Sequence, residues 1–166
     1  MPRQPDSRPT TEQKDPLTPE QRHYCMSRIQ GKNTKLELQV RKGLFALGYR
    51  YQLHRKDLPG KPDVVLPKYN AVIFAHGCFW HGHNCHLFKW PKTKREFWKN
   101  KIVKNQENDD KAKSLLLNAG WRVAIIWECA LKGSRKKDLD FVIHETDEWL
   151  KSSALAVVIR GKQDKA

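Results

Sequence analysis

The 166-residue chain has no apolar run approaching the roughly 20 residues that a membrane-spanning helix needs. It shows no secretory signal, no internal repeat and no glycine-rich loop built to cradle phosphates, which sets aside secreted, solenoid and nucleotide-loop classes. Acidic residues are scarce: 18 Asp and Glu stand against 32 Lys and Arg, a net charge of +14 with the seven His neutral. Such an excess favours a polyanionic partner, nucleic acid first. No basic amphipathic segment stands apart to suit a membrane surface. Cysteines number only four beside many His, which points to reduced thiols, metal ligation and a cytoplasmic setting rather than disulfides. The length suffices for one α/β domain with a real core and is short for two.

What is present is concentrated between Ala75 and Cys85, where three His, two Cys and two adjacent aromatics fall within eleven positions. Cys78, His83 and Cys85 can converge on one zinc once a fourth ligand arrives, for which Cys129 is the candidate. Spacing does not decide whether His76 or His81 takes the place of His83. An imidazole near neutral pH can also orient a water or protonate a leaving oxygen, so His76 and His81 are candidates for catalysis. Phe79 and Trp80 sit on this loop, where burying both in the core is awkward. Aromatics so placed suit a wedge between base steps, with a core role for one of them as the alternative.

The flanking segments read as regular elements. Leu58 to Leu66 is a Pro/Gly turn that delivers Asp63 at the head of an apolar run. A second run, Ala71 to Ala75, completes two adjacent strands. Tyr49 to Leu53 is expected to be the first strand. Thr18 to Gln21 is a capping box with Pro19 at the first helical position, opening a helix through about Ile29 that carries Met26. Thr34 to Glu37 repeats the box and opens a helix with Leu36, Val40, Leu44 and Leu47 on one face, ending at Gly48. Thr93 to Glu96 is a third box, followed by Lys99, Lys101 and Lys104, and a separate helical piece is expected from about Asn108 to Asn118. Trp121 to Trp127 reads as a strand buried on both faces, ending beside Cys129. Asp138 to Leu150 reads as a covering helix, with His144 on its surface. The expected organisation is a disordered basic tail over 1–16, one domain over 17–151 and a C-terminal tail over 152–166.

Pro62 and Asp63 ahead of paired strands resemble the metal-binding corner of restriction-endonuclease-like nucleases. The acid, spacer and lysine usual on the second strand are here Phe74, Ala75 and His76. Pro59 to Asp63, Val72 to His81, Phe97 with Trp98, and Trp127 to Leu131 occur in the order that resembles the very short patch repair endonucleases, over roughly Cys25 to Leu150. That resemblance implies a restriction-endonuclease-like mixed β-sheet flanked by helices, with a structural zinc site. It implies magnesium-dependent nicking of duplex DNA 5′ of the thymine in T·G mismatches, the lesion left by deaminated 5-methylcytosine. Asp63 and the backbone carbonyl of Ala75 would hold magnesium, since hard oxygens suit that ion. His76 and His81 would act in catalysis, Glu37 would stand beside them as well as capping its helix, and Met26 would join the wedge. Lys101 and Asn105 would approach the mismatch from the major groove.

The same resemblance implies a monomer working beside mismatch-repair proteins and a cognate cytosine-5 methyltransferase system. The family commonly has histidines where this chain has Gly82 and Asn84. Two other functions fit the residues: a zinc-stabilised DNA-binding module without hydrolysis, and a nuclease of the same fold with another target.

Overall fold

A computed structural model describes residues 18–21 and 34–163. The tail expected over 1–16, most of the first helix and Met26 lie outside the described residues. Where that helix opens, its capping box is formed: Thr18 Oγ1 accepts from the Gln21 N–H at 3.2 Å, and Gln21 Oε1 accepts from the Thr18 N–H at 2.9 Å.

Thr34 uses the same device, its hydroxyl accepting from the Glu37 N–H at 3.2 Å, and helix α1 follows over Lys35–Ala46. Leu36, Val40 and Leu44 recur every four residues and are buried along one face. Leu47, expected to continue that stripe, is 53% exposed, because the helix has closed and Gly48 turns the chain away with φ 93°.

Five strands form one sheet in sequential order: β1 Gln52–Leu53, β2 Val64–Leu66, β3 Ala71–His76, β4 Arg122–Trp127 and β5 Ala156–Ile159. The first three are antiparallel neighbours, whereas β3, β4 and β5 are parallel. A 3-10 turn, Pro67–Tyr69, joins β2 to β3 and is closed by Asn70 in the left-handed region. The crossover from β3 to β4 is helix α2, Arg95–Asn118, and that from β4 to β5 is helix α3, Leu139–Lys151. Side chains of β2 alternate between two cores, as a period of two requires. Val64 and Leu66 pack with Leu36, Val40 and Leu44 of α1 and Val142 and Trp149 of α3, while Val65 packs with Leu116 of α2. The sheet is therefore covered by α1 and α3 on one face and α2 on the other. Within it β4 is interior, as its unbroken apolar run foretold.

Four expectations are corrected. The first strand shrinks to two residues, and Tyr49 is instead a core residue whose hydroxyl donates to the Asp147 carboxylate. The helix after the cysteine loop is one continuous 24-residue element. Its buried stripe is thin, Ile102, Ala112 and Leu116, with polar residues between, so the sequence period faded where the break was expected. It also starts without the third capping box: Lys94 is the cap, at φ 52° and with no side-chain cap bond. Residues 156–159, within the span expected to be a tail, form β5. No helix among the described residues is long and apolar enough to cross a membrane.

Candidate active site and metal centre

The hairpin of β2 and β3 fixes Asp63. Because Val64 pairs with Ile73, the residue ahead of β2 lies beside the far end of β3, and Asp63 Oδ2 accepts from the Ala75 N–H at 2.7 Å. Glu37, buried in the first turn of α1, and His54 join it, with one ligand atom from each within 4.8 Å of the others. Arg41 donates to Glu37 Oε2 at 2.7 Å, and its Nη2 lies 3.1 Å from His54 Nε2. Burial pushes the Asp63 carboxyl up to about 7. The Ala75 N–H opposes the rise, and the Glu37 carboxylate adds to it.

One residue beyond Ala75, the ring of His76 stacks on that of His81 with centroids 3.8 Å apart and planes 4° from parallel. Burial, then the neighbouring His81, lowers the His76 pKa to about 3, so this imidazole is neutral at working pH. His81 Nδ1 pairs with Asp109 Oδ2 on α2. A carboxylate at Nδ1 holds that proton and leaves Nε2 as the free ring nitrogen. The loop can approach α2 this closely because residue 82 is glycine at φ 61°. A Cβ there would lie 2.5 Å from Gln106 Nε2 and 2.6 Å from Ile102 Cγ2. Gln106 Nε2 also donates to the carbonyls of His81 and Gly82, at 3.2 Å each. A side chain at this position would need those of Gln106 and Ile102 to move.

Asp63, Glu37, His76, His81 and Asp109 face one cleft of about 920 Å³, whose rim includes Lys61, Trp80 and Lys101. Phe79 and Trp80 are half-buried, packed edge-to-face on each other and on Trp98 with centroids 5.3 to 5.7 Å apart. Lys101 Nζ lies 5.5 Å from the Trp80 ring centre. Asn105 is turned inward and donates from Nδ2 to the Trp80 carbonyl at 2.9 Å, so it fastens the loop to α2.

Cys78, His83, Cys85 and Cys129 bring their ligand atoms within 4.8 Å of one another. His83, rather than His76 or His81, is the imidazole that lies with the thiols, its Nδ1 3.5 Å from Cys78 Sγ and 3.6 Å from Cys129 Sγ. Its ring stacks on Trp127 at the end of β4, with centroids 4.0 Å apart. Two backbone amides point at sulfur: the Cys129 N–H donates to Cys78 Sγ and the Gly161 N–H to Cys129 Sγ, each at 3.3 Å. Burial raises the Cys78 and Cys129 thiols and, ahead of the Arg160 charge, lowers His83 to about 4. Such a donor set fits a cation, which would turn raised thiols into thiolates.

Asp109 and His54 belong to the site yet had no sequence signal. Asp109 is one of several acids in a long charged helix, 28 positions from its imidazole, and His54 follows a two-residue strand with no motif around it.

Residues 14–87 match the family described as DNA mismatch endonuclease Vsr. The chain is 48% identical to the Type II nicking enzyme V.XorIIP of Xanthomonas oryzae pv. oryzae over 117 residues, 70% of this chain and 86% of that protein. It is 43% identical to the DNA mismatch endonuclease Vsr of Escherichia coli over 125 residues, 75% of this chain and 80% of that one. A third relative, the Type II nicking enzyme V.NmeAIP of Neisseria meningitidis, is 47% identical over 118 residues, 71% and 84% of the two chains.

Proposed function

This chain belongs to the Vsr family of DNA mismatch endonucleases, and on that footing we propose that it nicks duplex DNA 5′ of the thymine in a T·G mismatch. The observation that carries the reading is the convergence of Asp63, Glu37 and the stacked pair His76 and His81 on one cleft. The five-stranded mixed sheet with helices on both faces suits a restriction-endonuclease-like fold.

Asp63 and the Ala75 carbonyl are the ligands we assign to magnesium, which when bound would stabilise charge at the phosphorus and acidify a water. The site fits such an ion because two carboxylates, the half-buried Asp63 and the buried Glu37, crowd one another, and burial together with Glu37 raises the Asp63 carboxyl. Neutral His76 and Asp109-held His81 handle the protons. One imidazole takes the proton that the attacking water loses, and the other delivers one to the departing O3′, leaving a 5′ phosphate and a 3′ hydroxyl. Asp109 acts through His81, holding its tautomer and direction.

Cys78, His83, Cys85 and Cys129 are assigned to zinc, which would fasten the 78–85 loop to the end of β4. That loop carries Phe79 and Trp80 beside the cleft, so the wedge and the catalytic imidazoles move as one piece. Insertion costs least at a mismatched step, which is how the wedge would select damaged duplex, with Met26 adding to it. Lys101 on the rim supplies phosphate or base-edge contact. The test is incubation of strand-labelled T·G and matched C·G duplexes with magnesium, in which only the thymine strand of the mismatched duplex is cut.

A further inference from the structure

A second cavity, of about 540 Å³, lies beside the thiol cluster and is lined by His86, Arg135, Arg160, Lys162 and the backbone of Gly161, together with Cys85 and Cys129. Three separate segments build it, and hydrogen bonds tie them. Arg160 Nη2 donates to the Asn84 carbonyl at 3.1 Å, the Lys162 N–H donates to the Arg135 carbonyl at 2.8 Å, and the Gly161 N–H donates to Cys129 Sγ at 3.3 Å. Glycine is required at 161, where a Cβ would lie 2.5 Å from the Cys129 carbonyl oxygen.

Its balance of charge differs from the catalytic cleft's. In the cleft four carboxylates, Glu37, Asp63, Asp109 and Glu128, stand among four lysines, whereas no carboxylate lines this cavity among the described residues. Two of its nitrogens, Arg160 Nε and His86 Nε2, are buried without a hydrogen-bond partner among the described residues, and Arg160 Nε is a donor with no acceptor to meet it there. Position supplies the remaining argument. Strands β3, β4 and β5 run parallel and end at one edge of the sheet. The cleft takes residues just past β3 and β4, and this cavity takes residues just past β4 and β5. A strand of DNA lying along that edge meets both.

We propose that this cavity seats a backbone phosphate of the duplex flanking the nick, held by Arg160, Arg135 and Lys162. This rests on the endonuclease reading above. A guanidinium and an ammonium match a phosphate oxyanion in charge and donor geometry. A different use of the same cations would be to offset the negative charge of a zinc held by three thiolates.

Binding of a matched, uncut duplex without magnesium, titrated over a series of KCl concentrations, separates these. Lys162→Gln, at an exposed position, and Arg160→Gln should each keep stoichiometric zinc and lower the slope of log Kobs against log [salt] by about 0.9, one phosphate contact. Unchanged slopes in both variants overturn the proposal. So does loss of zinc in Arg160→Gln with an unaltered slope in Lys162→Gln, which would return the cations to the metal centre. If inorganic phosphate raises the melting temperature of the wild type but not of the variants, while their slopes match wild type, the cavity takes free anion and the DNA assignment falls. Wild-type protein that fails to cut T·G duplex in magnesium overturns the endonuclease reading, a result that leaves these slopes separately readable.

Discussion

Asp63 is clamped to Ala75 by a 2.7 Å hydrogen bond that reaches from the head of β2 to the penultimate residue of β3. The contact points the carboxylate at the backbone end from which His76 follows, so one hairpin sets the distance between the acid and the first imidazole. It also buries the acid beside Glu37, and that burial has a measurable consequence.

In protein without added magnesium, Asp63 holds its proton more tightly folded than unfolded. Between about 3.9, the free value, and about 7 the folded state carries the extra proton, so stability falls as pH rises through that window. Asp63→Asn removes this dependence. Urea unfolding should find the variant equal to wild type below about pH 4 and more stable near pH 8, by roughly 1–4 kcal/mol. Equal stabilities near pH 8 would contradict the raised carboxyl.

Asp109→Asn should leave duplex binding intact and slow nicking about 10- to 100-fold, the usual effect of losing the partner that orients a working histidine. The loss falls on the chemical step because only the contact at His81 Nδ1 is removed. A nicking rate matching wild type would make Asp109 a bystander.

If the cluster holds zinc as proposed, Cys129→Ser should release it and lower the melting temperature, since Cys129 is the member of the Cys and His cluster that joins the end of β4 to the 78–85 loop. Metal analysis beside thermal unfolding checks both. Stoichiometric zinc at an unchanged melting temperature would show that the other three residues hold the ion unaided.

The hairpin, α1 and most of the Cys and His cluster were legible because each is a local pattern. The turn before Asp63, the four-residue stripe of α1 and the Cys and His between 78 and 85 all fall within single windows of sequence. What stayed hidden is contributed across the fold. Asp109 meets His81 only because α2 runs unbroken past the loop, and Gly161 meets Cys129 only because β5 pairs with β4. β5 alternates in burial, but its four residues, Ala156 to Ile159, are all apolar, so no polar and apolar alternation marks it in the sequence. Asn105 was placed in the groove by resemblance, but its side chain spends a donor on the Trp80 carbonyl.

Trp80→Ala should retain zinc and fold while reducing the preference for mismatched over matched duplex, by roughly 1–3 kcal/mol for one lost stacking platform. Trp80 has room to respond, being half-buried at the cleft rim and stacked only on side chains of the same aromatic group. Competition titrations with the two duplexes measure it, and an unaltered ratio would assign Trp80 to packing.

In the mechanism proposed above, Asp63 anchors the chemistry while the wedge and the basic surface supply the affinity. Strand-labelled T·G duplex incubated in magnesium with wild type and Asp63→Ala, with binding measured on the same samples, separates the two roles. Wild type should cut the thymine strand alone, on its 5′ side with a 5′ phosphate, and Asp63→Ala should bind the mismatch yet leave it whole. Cutting by Asp63→Ala at a rate near wild type would contradict that mechanism.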